Sequence, residues 1–167
     1  MKKIKALFLD RDGVINKDLG YVYRIEDFEF MPGIFVALRG FMELGFEIFV
    51  VTNQSGIGRK YYTQADFDKL SDYMINEFKT QGVNIKKIYY CPHAPDDNCE
   101  CRKPKSGMFL EALSEFNIDM KSSIMIGDKQ SDIDAASGAG VGKCFLLDGG
   151  KFSSVMDVLE YVKLHKL

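Results

Sequence analysis

The sequence predicts an α/β chain built on a Rossmann-like, doubly wound, mainly parallel sheet. Three observations predict it. Short apolar runs alternate with segments of helical periodicity along the chain. The first runs are nearly continuous rather than alternating, as strands buried on both faces must be. Several of them end in a polar or metal-competent residue, the place where such sheets carry their ligands.

The elements follow in order. Ile4–Leu9 is the first strand, ended by Asp10. Ile34–Leu44 has apolar residues at helical spacing and stops at Gly45, a C-cap residue. Phe46–Val51 is the second strand. Thr63-Gln64-Ala65-Asp66 resembles a capping box, with Asp in place of Glu, and opens a helix to about Gln81. Ile85–Tyr90 is a third strand that runs straight into Cys91. Ser106–Phe116 reads as a helix, Ser123–Ile126 as a strand ended by Gly127-Asp128, and Ser131–Ser137 as a short helix. Lys143–Leu147 and Val155–Leu164 close the chain as strand and helix. Right-handed crossovers then put the strand ends on one edge. Functional residues should sit there, at Asp10, Thr52, Cys91 and Asp128.

Composition narrows the class. A chain of 167 residues fits one domain, read as 1–167, and should bury ~70% of its unfolded surface without disulfide staples. Lys and Arg number 22 against 24 Asp and Glu, a net charge of −2 that argues against a nucleic-acid partner. No apolar run approaches the ~20 residues that span a bilayer. Ala6–Leu9 is too short for a secretory apolar core of about 7–15 residues. A cytoplasmic protein off the membrane is expected, and a monomer, since no long apolar stripe is left over. The glycosylation pattern Asn53-Gln54-Ser55 is discounted for the same reason.

Asp10-Arg11-Asp12-Gly13 follows the first strand. Of three D-x-D pairs in the chain, only Asp10/Asp12 follows an apolar strand; Asp66/Asp68 and Asp132/Asp134 do not. Each Asp here could be an ordinary turn or cap residue. In a parallel sheet, however, Asp10, Asp12 and Asp128 converge on one edge. Converging carboxylates repel and raise one another's pKa unless a cation neutralises them. Hard oxygen donors of this kind suit Mg²⁺ and a phosphorylated substrate. Thr52-Asn53-Gln54-Ser55-Gly56 could hold phosphate oxygens after the second strand, and Arg102, Lys103 and Lys129 supply cations. Lys105 reads as solvated surface. An aspartate can itself accept the phosphoryl group.

Three of four cysteines and one of two histidines lie within eleven residues: Cys91, His93, Cys99 and Cys101. That is the Cys₃His set of a closed, structural Zn²⁺ site. Chance clustering or a redox pair is the bland alternative, but no C-x-x-C motif is present. With no open ligand position, the metal's task would be to fold a proline-rich loop over about 91–101 and so place Arg102 and Lys103. Cys144 sits in an apolar strand pattern and reads as a buried core thiol. Gly138, Gly140, Gly142 and Gly149-Gly150 complete no nucleotide-binding pattern and read as turns.

These motifs together resemble the haloacid dehalogenase-like (HAD) phosphohydrolases. The match is D-R-D-G-V after strand one, V-V-T-N after strand two, a distal Lys, then I-G-D-K-x-x-D. Within them the chain resembles the heptose 1,7-bisphosphate phosphatases, with the histidinol-phosphate phosphatases as sister branch. N-K-D-L-G-Y-V-Y, Phe28-Glu29-Phe30 and T-N-Q-S-G-I-G-R are heptose-like, as are Tyr89–His93 and Gly127-Asp128-Lys129. The five residues between His93 and Cys99 resemble the histidinol-phosphate branch instead. The resemblance covers about residues 4–147 and implies no large cap domain.

It also implies roles. Asp10 would be the nucleophile, Asp12 the general acid, and Thr52 and Lys103 the holders of the transferring phosphoryl group. Asp10, Asp128 and the Asp12 carbonyl would hold Mg²⁺. Arg11, Asp18, Leu19, Gly20, Tyr21, Thr52, Asn53, Gln54, Ser55, Arg102, Lys103 and Lys129 would contact a small phosphorylated sugar. The implied activity is hydrolysis of the C7 phosphate of a heptose 1,7-bisphosphate, on the route to nucleotide-activated heptose. Histidinol-phosphate hydrolysis is the alternative of the same class. A catalytically dead, zinc-dependent binding module is the alternative of another class; no expected position is lost from the sequence.

Overall fold

Five strands, all parallel, form one sheet in the order β3-β2-β1-β4-β5. They are β1 (Lys5–Leu9), β2 (Phe46–Asn53), β3 (Ile85–Cys91), β4 (Ile124–Gly127) and β5 (Lys143–Leu146). The structure, a computed structural model, describes residues 2–167. The chain winds outward twice from β1, so the strand order reverses beside it. In such sheets the crevice at that reversal, beyond the strands' carboxyl ends, receives the ligand.

Successive side chains point to opposite faces, and the sequence fills both. Leu7, Leu9, Ile48, Val50, Ile124 and Ile126 face one side, against α1 (Ile34–Glu43), α3 (Gln64–Thr80) and α6 (Val155–His165). Ala6, Phe8, Phe49, Val51 and Met125 face the other, against α4 (Gly107–Glu115) and α5 (Gln130–Gly138). The continuous apolar strand runs are therefore the consequence of helices on both faces.

Two local signals behave as read. Thr63 Oγ1 accepts from the Asp66 amide at 3.1 Å and Asp66 Oδ2 accepts from the Thr63 amide at 2.9 Å, a reciprocal cap worth about 1 kcal/mol. Gly45 and Gly82 follow their helices at φ +91° and +77°, which a side chain would strain.

Two readings change. β2 runs two residues past Val51, because Thr52 and Asn53 keep pairing with Tyr90 and Cys91 of β3. A single helical turn, α2 (Ser55–Gly58), follows β2. Cys144 is only partly buried, since β5 is an edge strand; its Sγ lies 3.7 Å from Ser137 Oγ.

Candidate active site

Most of the buried polar side chains gather at one end of the sheet. Asp10, Arg11, Asn16, Thr52, Gln54, Lys103 and Asp132 are all buried there; only Ser123 lies elsewhere among the described residues. Ser123 caps the opposite end, where its hydroxyl accepts from the Ala6 amide at 2.9 Å and donates to the Asp119 carbonyl at 2.7 Å.

Asp10 leaves β1 with its amide still bonded to the Ile126 carbonyl of β4 at 3.2 Å. That shared ladder brings the ends of β1 and β4 together. Oxygens of Asp10, Asp128 and Asp132 lie within 4.8 Å of one another. Gly13 turns at φ +91°, and a Cβ there would stand 2.0 Å from Asp128 Oδ2, so only glycine lets the β1 loop close on Asp128. Asp132 is the third residue of α5, and its Oδ2 accepts from the Asp128 and Lys129 amides at 3.1 and 3.2 Å.

Lys103 enters this cluster from the loop after β3. Its Nζ lies 3.0 Å from Asp10 Oδ1 and 2.6 Å from Asp132 Oδ1, and donates to the Val51 carbonyl at 2.8 Å. Burial works against the lysine's charge, but Asp10 and Asp132 outweigh it and hold Lys103 above the ordinary lysine range. Burial pushes Asp10 up to about 7; Lys103 pulls against this, while Asp132, Asp12 and Asp128 add to it. Burial, then Asp132, also raises Asp128. Asp128 Oδ1 is buried with no hydrogen-bond partner. A lone buried oxygen among mutually repelling carboxylates fits a hard divalent cation, and Mg²⁺ suits the donor set.

Asp12 stands apart from that trio. Its Oδ1 accepts from Arg11 Nε and Nη2 at 3.3 and 3.0 Å and from Asn16 Nδ2 at 2.9 Å. Its Oδ2 accepts from Gln54 Nε2 at 3.2 Å. Gln54 Nε2 also donates to the Thr52 hydroxyl at 3.0 Å. Asn53 clamps the backbone of Lys103, accepting from its amide at 3.0 Å and donating to its carbonyl at 3.3 Å.

Beyond these groups opens a cleft of about 540 Å³. Asp12, Asp18, Gly20, Tyr21, Asn53, Gln54, Ser55, Arg102, Lys103 and Lys129 line it, as do Arg59, Tyr62, Pro104 and Ser131. Three sequence-derived contacts are not on the cleft wall. Thr52 is buried, its hydroxyl accepting from Gln54. Arg11 is buried beneath the loop, donating to Asp12 and to the Val22 carbonyl at 2.8 Å. Leu19 is 65% exposed and is not part of the cleft wall.

The thiol cluster lies behind the cleft. Cys91 Sγ is 3.5 Å from Cys99 Sγ and 3.4 Å from His93 Nδ1, which is 3.2 Å from Cys101 Sγ. Four donors around a tetrahedral zinc stand ~3.7 Å apart, so the set fits Zn²⁺. The loop that carries it braces the cleft: the Gln54 and Gly58 amides donate to the Cys91 and Pro92 carbonyls, each at 2.8 Å. A Cβ on Gly58 would meet Ala94 N and Pro92 O at 2.7 Å.

A HAD-hydrolase-like family model matches residues 100–159. A D-glycero-alpha-D-manno-heptose-1,7-bisphosphate 7-phosphatase of Campylobacter jejuni is 51% identical over 96% of this chain and 97% of its own. A beta-named counterpart of Helicobacter pylori is 51% identical over 88% of this chain and 86% of its own. The chain belongs to the heptose-1,7-bisphosphate 7-phosphatase family. A crystal structure of the B. bronchiseptica D,D-heptose 1,7-bisphosphate phosphatase, complexed with magnesium and phosphate, matches at TM-score 0.86. It is 27% identical, over 97% of this chain and 99% of that one.

For this family member, sequence reasoning left Asp132, Arg59 and Tyr62 without a role. Asp132 had a signal, as the last position of I-G-D-K-x-x-D. Arg59 closes the T-N-Q-S-G-I-G-R stretch, but only the fold turns it to the cleft. Nothing local marks Tyr62.

Proposed function

We infer that the chain is a phosphatase that removes the C7 phosphate of D-glycero-D-manno-heptose 1,7-bisphosphate. The observation that carries this is 51% identity across almost the whole length of a relative with that activity in its name. The HAD-like fold and a site with the chemistry-bearing positions filled agree with it. We read residues 1–167 as one domain, acting on a small phosphorylated sugar.

The residues divide the work as follows. Asp10 attacks phosphorus, the bond to the C7 oxygen breaks, and Asp12 gives that oxygen its proton. Asp12 then takes a proton from water, whose oxygen attacks the aspartyl-phosphate. Asp10 and inorganic phosphate are released, with heptose 1-phosphate as the other product. Lys103 and Thr52 hold phosphoryl oxygens in both steps, and burial strengthens their effect. Asp10, Asp128 and the Asp12 carbonyl would hold Mg²⁺, with Asp132 beside them. Bound there, Mg²⁺ supplies charge that offsets the carboxylates and the phosphoryl oxygens. The magnesium and phosphate in the B. bronchiseptica neighbour support that choice. Arg59, Arg102 and Lys129 face the outer cleft and suit the second phosphate. Zn²⁺ at the thiol cluster would hold the loop that carries Arg102 and Lys103.

The deciding experiment is phosphate release with Mg²⁺ from both heptose 1,7-bisphosphate anomers and from histidinol phosphate. The last is included because of the five-residue spacing between His93 and Cys99. A heptose preference of about 100-fold or more, ~2.7 kcal/mol in transition-state binding, is expected. A preference for histidinol phosphate would overturn the substrate assignment.

A further inference from the structure

Gln54 is 3% exposed and meets three groups. Its amide nitrogen donates to Asp12 Oδ2 and to Thr52 Oγ1, at 3.2 and 3.0 Å. Its carbonyl oxygen Oε1 accepts from the hydroxyl of Tyr62. An amide oxygen only accepts and an amide nitrogen only donates. Rotated by half a turn, the amide would set Oε1 against a carboxylate oxygen, acceptor facing acceptor. The Asp12 carboxylate therefore selects the other orientation, in which the Tyr62 hydroxyl gives Oε1 a donor. Without that donor Oε1 is a buried acceptor with no partner, and the amide is held only through its nitrogen.

Tyr62 is itself held by packing. Its ring, 5% exposed, stacks on Tyr23 at 5.2 Å with 9° between planes. It fills the space above Gly56, where a Cβ would lie 2.1 Å from Tyr62 Cε1. The ring is therefore fixed without its hydroxyl, and the hydroxyl has the amide as its partner.

We propose that Tyr62 is a positioning residue: through the Gln54 amide it orients the Asp12 carboxylate toward the leaving oxygen. The proposal rests on the reading of Asp12 as general acid. It adds a residue outside the D-R-D-G and T-N-Q-S motifs, brought in from the start of the segment that leads to α3.

Tyr62→Phe keeps the ring and removes only the hydroxyl. The test compares kcat/KM on the heptose bisphosphate with kcat/KM on p-nitrophenyl phosphate. That parameter reports the step in which the leaving oxygen departs. A sugar alkoxide needs a proton there; p-nitrophenolate does not. Tyr62→Phe is expected to lose about tenfold on the sugar substrate, mostly in kcat with KM within about twofold. The loss on the aryl ester should be under about threefold, with thermal stability close to wild type. In a Gln54→Ala background, Tyr62→Phe should have no further effect.

Equal losses on both substrates, no loss on either, or an undiminished effect without Gln54 would each overturn the proposal. Asp12→Asn is measured alongside. If it too loses equally on both substrates, the general-acid reading fails. If Asp12→Asn is selective and Tyr62→Phe is not, the Tyr62 proposal alone fails.

Discussion

The thiol–imidazole cluster takes four donors from eleven consecutive residues, 91–101. The carboxylate cluster takes Asp10 from the end of β1, Asp128 from the end of β4 and Asp132 from the first turn of α5. The first is a local object of soft donors with no open position, able to organise a loop that has little core of its own. The second exists only because β1 and β4 pair, and it brings together like charges whose repulsion adds to burial in raising Asp10 and Asp128. Shared contacts join the two. The thiol loop leads directly into Lys103, which reaches Asp10 and Asp132, and it braces Gln54 and Gly58. The same ion pairs anchor the end of the thiol loop in return. On the proposed reading, the local metal site would serve as scaffold and the non-local one would serve chemistry.

Four experiments would break or sharpen that contrast. The largest effect is expected from Asp10→Asn, which should lower turnover by about 10³-fold or more while zinc content stays at wild type. Measurable turnover at a tenth of wild type would remove Asp10 from the nucleophile's place. Next comes Cys99→Ser. Loss of zinc should cost about 100-fold in kcat/KM through Lys103, Arg102 and the Gln54–Gly58 turn. Removing Mg²⁺ should leave zinc bound. Metal analysis beside activity reads both, and full activity in zinc-free protein would separate the thiol site from the chemistry.

The third experiment concerns pH. Asp10 is raised from 3.8 to about 7 by burial first, against Lys103 and with Asp132, Asp12 and Asp128. A raised folded-state pKa favours the protonated form, so its stabilising effect is complete below about 3.8 and is lost as pH rises through about 7. Mg²⁺ competes with that proton. The rise in Tm on adding Mg²⁺ should therefore be small at pH ~5 and larger at pH ~8. An increment independent of pH would separate Asp10 from the metal. The smallest effect belongs to Arg59→Ala. It should raise KM for the bisphosphate by about three- to tenfold, weakening further with salt, and leave p-nitrophenyl phosphate unchanged. Equal effects on both substrates would take Arg59 away from the second phosphate.

Legibility followed distance along the chain. Asp10 and Asp128 stood out because each ends an apolar strand, and the Cys₃His set because its members are close in sequence. The Thr63–Asp66 cap was readable because both halves of it lie within one turn. Arg11 was not: its neighbours in D-R-D-G point to the site, yet its guanidinium turns under the loop to Asp12 and the Val22 carbonyl. Asn53 read as a substrate contact; the fold shows it on the cleft wall, gripping the backbone of Lys103, fifty residues away. Leu19 shares a loop with Asp18 and Tyr21 but lies outside the cleft wall.

The sequence by itself determined the strand and helix pattern, the thiol site and the kinds of donor at each strand end. These depend on periodicity, capping and residue chemistry, which act within a few positions. Tertiary structure alone decided that Lys103 lies between Asp10 and Asp132, that Asp128 Oδ1 is left without a donor, and that Tyr62 holds the Gln54 amide. Those facts depend on which strands pair and which loops meet, because a side chain's charge and orientation answer to whatever the fold sets within a few ångströms of it.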